Sequence, residues 1–400
     1  MIHPAKPDNG GPPSYTTQGG TIFFNLNGAI LVSILRYSNP GQSSRLISVY
    51  AKSVIQYGSV KKIANAVRTE IAYRRKEVFV RSKPYILFVE PLYYCNLDCP
   101  LCDRQVFSKA RGGDAGKLAL DNYNRLLDEI GDYLFQCQIF GQGEPLMNWK
   151  LSREIIELSH RRRIFTFLST NATLISPEMA EDIVASNLDY LVCAIDGVTQ
   201  KSYEIYRVGG DFEAAMSGLR AVAEARRRRG SNLQIEWQFL VHAYNEHEIP
   251  IARSMAEEMG VQIRFAPLCG MEWDAEAEAF WKPKDGPWSK RVKSGQHVND
   301  FPCYFLWRSL VLNSNSKIAR CLIYQNASQY YNLTNGSASA AYNHPSVQAA
   351  RRLFKKAPPT EEQAPAPCVN CGYFARHHGG AIGDRNSAVR QNLDAVSVNR

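Results

Sequence analysis

Glu90-Pro-Leu-Tyr-Tyr-Cys95-Asn-Leu-Asp-Cys99-Pro-Leu-Cys102 is the stretch whose reading decides the fold. Its cysteines follow the spacing C-x3-C-x2-C and supply three thiolates, whereas complete protein ligation of a 4Fe–4S cube takes four. One iron of such a cube is left open to bind a small molecule directly, which suits chemistry as well as electron storage. A tetrahedral zinc site is the competing reading of the triplet alone, because zinc also uses cysteine clusters, commonly C-x2-C pairs completed by another Cys or His. The triplet lies just after an apolar run, Ile86–Glu90, that reads as a strand.

Working outward, apolar strands alternate with helical patterns. Strands are predicted over Ile86–Glu90, Cys137–Phe140, Ile164–Ser169, Tyr190–Ile195, Leu233–Leu240 and Val261–Pro267. Helices are predicted over Asp121–Gly131, Lys150–Arg161, Pro177–Ser186, Phe212–Arg229 and His247–Met259. Such alternation predicts an α/β fold with a parallel sheet and helices outside it. Loops at the carboxyl ends of parallel strands gather the active site in such folds. The cysteines lie at that end, and so does Gly141-Gln-Gly-Glu-Pro145, directly after the second strand. Gly141 and Gly143 would let backbone approach a ligand, while Glu144 could accept hydrogen bonds from an ammonium group. Ser169-Thr-Asn171 closes the third strand with hydroxyl and amide groups that can donate and accept hydrogen bonds.

Together these elements resemble the radical S-adenosylmethionine (SAM) enzymes. The resemblance implies a partial (β/α)6 TIM-like barrel whose open iron is chelated by the amino and carboxylate groups of SAM. Cleavage of SAM then yields a 5′-deoxyadenosyl radical that abstracts hydrogen from a substrate. Gly141–Pro145 is similar to the family's GGEP motif, with Gln142 where a glycine is usual, and Ser169–Asn171 is similar to its Ser/Thr-Asn-Gly element, with Ala172 in place of glycine. Asp196-Gly197 and Arg207 resemble the turn and the Arg-x-Gly that follow the fourth strand. The resemblance implies cofactor binding by Gly141, Gly143, Glu144, Pro145, Ser169, Asn171, Asp196 and Arg207.

Beyond Pro267 the alternation stops. Cys303, Cys321, Cys368 and Cys371 supply four thiolates, enough to ligate a second cluster completely. Pro302-Cys-Tyr-Phe-Leu-Trp307, Cys321 and Pro367-Cys-Val-Asn-Cys371 resemble the SPASM/twitch domain, which implies one auxiliary 4Fe–4S cluster of the twitch type. Ser316 stands where that domain carries a glycine five residues before its second cysteine. Zinc is the alternative for these four. Cys137 and Cys193 fall inside predicted strands and read as small core residues. Cys269 follows the sixth strand at the active-site end, where a thiol could return a hydrogen atom to a substrate radical; the alternative is a small buried residue in a turn.

The expected organisation is an N-terminal extension over 1–82, partly disordered, a radical SAM core over 83–285, an auxiliary-cluster domain over 286–376 and a disordered tail over 377–400. Within the extension, Ile63, Val67 and Ile71 recur every fourth residue, which predicts a helix packing that stripe as a collar on the next domain. A peptide-recognition module of the winged-helix kind is the alternative.

With 400 residues, 45% of them apolar, the chain has material for two or three domains. The net charge is +9, and the basic runs Arg161–Arg163 and Arg226–Arg229 lack interleaved stacking aromatics, so solvated helix ends are expected rather than nucleic-acid binding. No signal peptide is expected from the polar opening residues, and no membrane span, because the apolar stretch Thr21–Leu35 is short and broken by Asn25 and Asn27. A cytoplasmic location with reduced thiols is the expectation.

The resemblance implies SAM-dependent radical oxidoreductase chemistry, with an electron donor such as flavodoxin or ferredoxin. The basic stretch from Ala64 to Pro84 resembles radical SAM proteins of carbohydrate and cell-surface biosynthesis. A small sugar-like substrate, dehydrogenated or epimerised, is therefore expected; a maturase of a ribosomally made peptide is the first alternative and a non-catalytic iron–sulfur or zinc scaffold the second.

Overall fold

The computed structural model describes residues 51–102, 104, 116–268, 279–284, 303–322, 329–355 and 368. In chain order these form α1 (Val60–Arg74), β1 (Ile86–Val89), α2 (Leu120–Ile130), β2 (Gln136–Ile139), α3 (Trp149–Arg161), β3 (Phe165–Thr170), α4 (Pro177–Ala185), β4 (Tyr190–Ala194), α5 (Gln200–Tyr206) and α6 (Phe212–Arg229). They continue through β5 (Gln234–Val241), α7 (Ile249–Glu258), β6 (Gln262–Pro267), α8 (Phe305–Arg308), β7 (Ser309–Leu312), β8 (Lys317–Ala319), β9 (Gln329–Asn332), α9 (Ala338–Tyr342) and α10 (Pro345–Arg352). Cys269, Cys371 and the two termini expected to be disordered lie outside the described residues.

Among the described residues the six expected strands run parallel in sequence order in an open sheet of order β6-β5-β4-β3-β2-β1-β7-β8-β9. All four residues of β1 are buried, as a parallel strand covered on both faces requires. Alternate residues divide the sheet into two faces. Leu87, Val89, Cys137, Ile139, Leu168, Leu191 and Cys193 join the helix-covered core with Tyr123, Leu126, Ile155, Met216 and Leu219. The other face carries Phe88, Phe140, Phe167 and Tyr190 in ring contact at 5.9, 5.9 and 5.2 Å between centroids, the last pair stacked.

Local chemistry sets the helix ends. Ser176 caps α4 through the Met179 N–H with Pro177 in its first turn, and Asp211 caps α6 through the Ala214 N–H. Gly230, at φ +60°, ends α6 in the left-handed conformation that glycine adopts without strain. The run Arg226–Arg229 sits in the last turn of α6, where cations favour the helix dipole, and Arg228 and Arg229 pair with Glu181 of α4 at 2.6 and 2.5 Å. These arginines therefore belong to a helix end and its neighbour, as expected.

Two features differ from the sequence expectation. Ile63 and Val67 are half-buried and Ile71 is 42% exposed, so the apolar stripe is not the most buried side of α1, although the helix does pack against Trp307 and Arg308. The buried face is instead Lys62, Asn65, Ala66, Thr69, Glu70, Ala72 and Tyr73. Ala72 and Tyr73 on this face pack with Leu306 and Trp307, while its polar members are paired: Asn65 exchanges hydrogen bonds with the Lys83 backbone, and Glu70 accepts from both Arg308 and the Tyr85 hydroxyl. The sheet also runs on past the expected boundary at 286, because β7 pairs parallel with β1 in the register Ile86↔Ser309 to Val89↔Leu312. The hairpin of β8 and β9 then extends it antiparallel.

Candidate active site

The cysteine loop begins where β1 ends, and backbone contacts fix its path. Tyr94 O accepts the Glu144 N–H at 2.8 Å, and Val208 O accepts the Asp98 N–H at 3.0 Å. Arg104 Nη2 adds bonds to Leu97 O at 2.6 Å and Asp98 Oδ1 at 2.7 Å. Cys95, Cys99 and Cys102 line one cavity of about 230 Å³ with Gly141, Gly143, Glu144, Ser169, Asn171 and Arg207. Six of the eight cofactor residues expected from sequence thus meet the three cysteines on a common wall, together with Tyr206, Gln238 and Leu240. Pro145 and Asp196 are not on it.

Asp196 stands behind the wall. Its fully buried carboxylate accepts Arg207 Nε at 2.6 Å and the Leu240 N–H at 2.7 Å. Burial pushes this carboxyl up in pKa, and the Arg207 charge opposes that push. The expected cofactor contact is therefore a group that holds Arg207, and the same guanidinium turns Nη1 toward Cys99 Sγ at 3.8 Å.

Glycine at 141 and 143 is required by the protein itself. A Cβ on Gly143 would meet Leu92 O at 2.0 Å and Tyr94 O at 2.8 Å, and one on Gly141 would meet Glu90 Cγ at 2.7 Å. The loop presses on the cysteine segment, an approach that the sequence reading assigned to a ligand. The Glu144 carboxylate is likewise engaged by protein, accepting from the Leu146 N–H, the Thr170 hydroxyl at 2.7 Å and the Asn171 N–H at 2.8 Å. Burial pushes its pKa up and the Asn171 N–H opposes. It pins the end of β3 to the glycine loop.

Glu90 was missed by sequence reasoning. Fully buried, it accepts the Gln142 N–H through Oε1 and both the N–H and hydroxyl of Ser314 through Oε2. One carboxylate ties the glycine loop to the turn after β7; a glutamate at the end of an apolar strand gives no such signal in sequence. Two departures from the family pattern keep the backbone a glycine would adopt: Ala172 has φ +65° and Ser316 φ +61°. Asn122 Nδ2 holds the Ser316 hydroxyl at 2.7 Å.

The residues present fit a cluster held by thiolates. Hydrogen-bond donors face two of the sulfurs, the Leu97 N–H to Cys95 at 3.4 Å and Arg207 to Cys99. Burial pushes both thiols up in pKa, the Leu97 N–H opposing at Cys95 and the Arg207 charge at Cys99. Metal binding deprotonates its thiol ligands. Among the described residues no three metal-ligating side chains stand close enough to hold an ion, so the thiols share a wall and are not drawn into a closed site. In the C-terminal region, half-buried Cys303 and Cys368 pack against the same core of Leu306, Trp307 and Val347, and Cys321 lies half-buried after β8.

Residues 89–235 match the radical SAM superfamily, and the chain carries a radical SAM domain. The cofactors that go with it are a 4Fe–4S cluster and SAM. Among individual proteins, it is 26% identical over 181 residues to Fe-coproporphyrin III synthase of Methanosarcina barkeri, covering 45% of this chain and 43% of that one. It is 27% identical over 179 residues to PqqA peptide cyclase of Gluconobacter oxydans, covering 45% and 48% respectively. The matched stretch thus spans less than half the length of each relative. In fold, it resembles Streptococcus suis SuiB bound to its precursor peptide SuiA, with a TM-score of 0.53 at 13% identity, over 88% of this chain and 82% of that one. No helix of the described residues is long and apolar enough to cross a membrane.

Proposed function

We propose that this protein is a radical SAM enzyme acting on a ribosomally made peptide. The observation that carries the reading is the shared cavity wall of Cys95, Cys99 and Cys102 with Gly141, Gly143, Glu144, Ser169, Asn171 and Arg207. When bound, the cluster and SAM supply a radical able to abstract hydrogen from an unactivated carbon. The cysteines hold the iron, the glycine loop and Ser169–Asn171 orient SAM, and Arg207 places positive charge beside Cys99. Cys303, Cys321, Cys368 and Cys371 hold one auxiliary 4Fe–4S cluster in this reading, able to take the electron left on an oxidised substrate. A flavodoxin or ferredoxin supplies the reducing electron, and Cys269 is the candidate hydrogen donor should the reaction be an epimerisation.

The peptide is supported by the likeness to PqqA peptide cyclase and to SuiB with its precursor peptide. These favour it over the sugar-like substrate expected from the basic stretch before β1. A tetrapyrrole is the second reading, supported by the likeness to Fe-coproporphyrin III synthase.

Anaerobically reconstituted protein with dithionite should convert SAM to 5′-deoxyadenosine, and Ala at Cys95, Cys99 and Cys102 together should abolish it. Turnover unchanged in that variant overturns the assignment. Incubation with a precursor-peptide panel, coproporphyrin III and a nucleotide-sugar panel, read by mass change, selects the substrate class; modification of a nucleotide sugar alone overturns the peptide reading.

A further inference from the structure

We infer that Arg264 and Gln238, on the cavity face of β5 and β6, form a subsite for a carboxylate of the substrate. The inference rests on the reading above for what the adjoining cavity holds. Gln238 lines the cavity that contains the three cysteines, and β5 and β6 pair it directly with Arg264. The Arg264 guanidinium is held from two sides. Its Nε donates to Glu236 Oε1 at 2.6 Å, and its Nη2 donates to Gln238 Oε1. Glu236 is itself buried and takes the Tyr190 hydroxyl on its second oxygen at 2.5 Å. Tyr190 stacks on Phe167 at 5.2 Å with ring planes 9° apart. Three strands thus build one row that fixes the guanidinium plane before any ligand arrives.

Two donor groups remain. Arg264 Nη1 donates to no described residue, and the side chain keeps 28% of its surface exposed. A guanidinium only donates, so Gln238 must turn its oxygen toward Arg264, which leaves the amide Nε2–H groups for another partner. The row therefore presents a guanidinium Nη1 donor beside a neutral amide donor, while the Glu236 carboxylate that anchors the guanidinium is engaged by Arg264 and the Tyr190 hydroxyl. That pattern matches a carboxylate, which accepts on both oxygens and pairs with arginine in a fixed planar geometry. The positive charge of Arg264 also reaches Asp196 behind the cavity wall, where it opposes the upward push of burial on that carboxyl. Beside the row lie the aromatic rings of Phe140 and Phe167, so the substrate that fits has an apolar body next to its acid group.

Two sources supply such a carboxylate, an acidic side chain of a peptide and a propionate of a tetrapyrrole. Full-chain protein is titrated with N-acetyl-glutamate methylamide, with its neutral isostere N-acetyl-glutamine methylamide, and with coproporphyrin III, binding being read by saturation-transfer NMR for the first two and by fluorescence quenching for the third. At least one acid should bind, the neutral isostere should not, and Arg264→Met should weaken binding about tenfold or more, the loss expected for charge-assisted hydrogen bonds. Gln238→Leu should weaken it less, and Arg264→Lys, which keeps charge without the fork, should fall between wild type and Arg264→Met. Circular dichroism of each variant separates loss of the subsite from loss of fold. Equal binding of acid and isostere, or binding unchanged in a folded Arg264→Met, overturns the subsite. Wild-type protein that makes 5′-deoxyadenosine but binds neither acid fails the subsite alone; protein that binds an acid through Arg264 but makes no 5′-deoxyadenosine fails the functional reading alone.

Discussion

Arg207 Nε and Asp196 Oδ2 stand 2.6 Å apart in a site where the carboxylate is fully buried and the guanidinium side chain keeps 13% of its surface. The pair spans the end of β4 and the end of α5, and through Arg207 Nη1 it reaches the cysteine loop. A motif residue that reads as a cofactor contact thus acts by holding a second motif residue in place.

Breaking this pair from one side should cost more than deleting it. Asp196→Asn leaves the Arg207 charge without its partner, and removal of one member of a buried ion pair costs about 3–5 kcal/mol. Asp196→Asn combined with Arg207→Met should recover part of that loss. Urea unfolding of the four proteins of the cycle measures it. A single-variant cost below about 1 kcal/mol means that water already screens the pair.

A second buried pair joins α1 to α8. Glu70 accepts Arg308 Nε at 2.7 Å and Nη2 at 2.8 Å, with side-chain exposures of 7% and 5%, and the arginine lies over the Tyr73 ring at 4.4 Å. Glu70→Ala should lower stability by about 3–5 kcal/mol and loosen α1 from the sheet. Limited trypsin digestion should then cut at Arg74, Arg75 or Arg81 well before the core. Cleavage at these sites at the wild-type rate would show that α1 is held by its other contacts, among them Asn65 with the Lys83 backbone.

Glycine is obligatory at 143, where an added methyl would strike the Leu92 and Tyr94 carbonyls. Gly143→Ala should displace the loop from the cysteine segment, so that reconstituted protein holds less iron at the first site and binds SAM more weakly. Isothermal titration with SAM checks this, and wild-type affinity in the variant would mean the loop relaxes without cost. Ala172 is the opposite case. At φ +65° a non-glycine residue carries strain of about 1–2 kcal/mol. Ala172→Gly should therefore be neutral or stabilising, the extra freedom of glycine in the unfolded chain offsetting part of the relief.

The six core strands were legible because an apolar run bounded by turns, repeated at helix-length intervals, has few other solutions in a parallel sheet. That Cys95, Cys99 and Cys102 share one cavity wall was legible because they lie within eight residues, directly after a strand whose carboxyl end opens on it. The rest depends on partners remote in sequence. Ile63, Val67 and Ile71 have helical spacing, yet the most buried side of α1 is the one that meets Leu306, Trp307 and Arg308, far along the chain. Ser309–Leu312 is a four-residue strand, too short to stand out, and it finds its place only because β1 offers a free edge. Glu90 and Asp196 hold loops from beneath, a role fixed by depth of burial, which sequence does not carry.

His242 supplies a pH test. Its side chain is fully buried against Tyr206 and Trp281, and its Nδ1 accepts the Tyr244 N–H at 3.3 Å, so Nε2 carries the proton of the neutral ring. Burial first, and the Arg207 charge second, push its pKa down from 6.5 to about 3. Above pH 6.5 the ring is neutral in both folded and unfolded chains, and its contribution to stability is fully present. Below that value the unfolded chain takes up a proton that the folded protein refuses, so stability falls as pH drops from 6.5 toward 3. Between pH 7.5 and 5.5 this one group should cost about 1.4 kcal/mol. His242→Gln keeps an acceptor for the Tyr244 N–H and removes the titration. Urea midpoints at the two pH values should therefore separate by less in the variant than in the wild type. An equal separation would assign the acid sensitivity to other groups and show that His242 takes up its proton without unfolding.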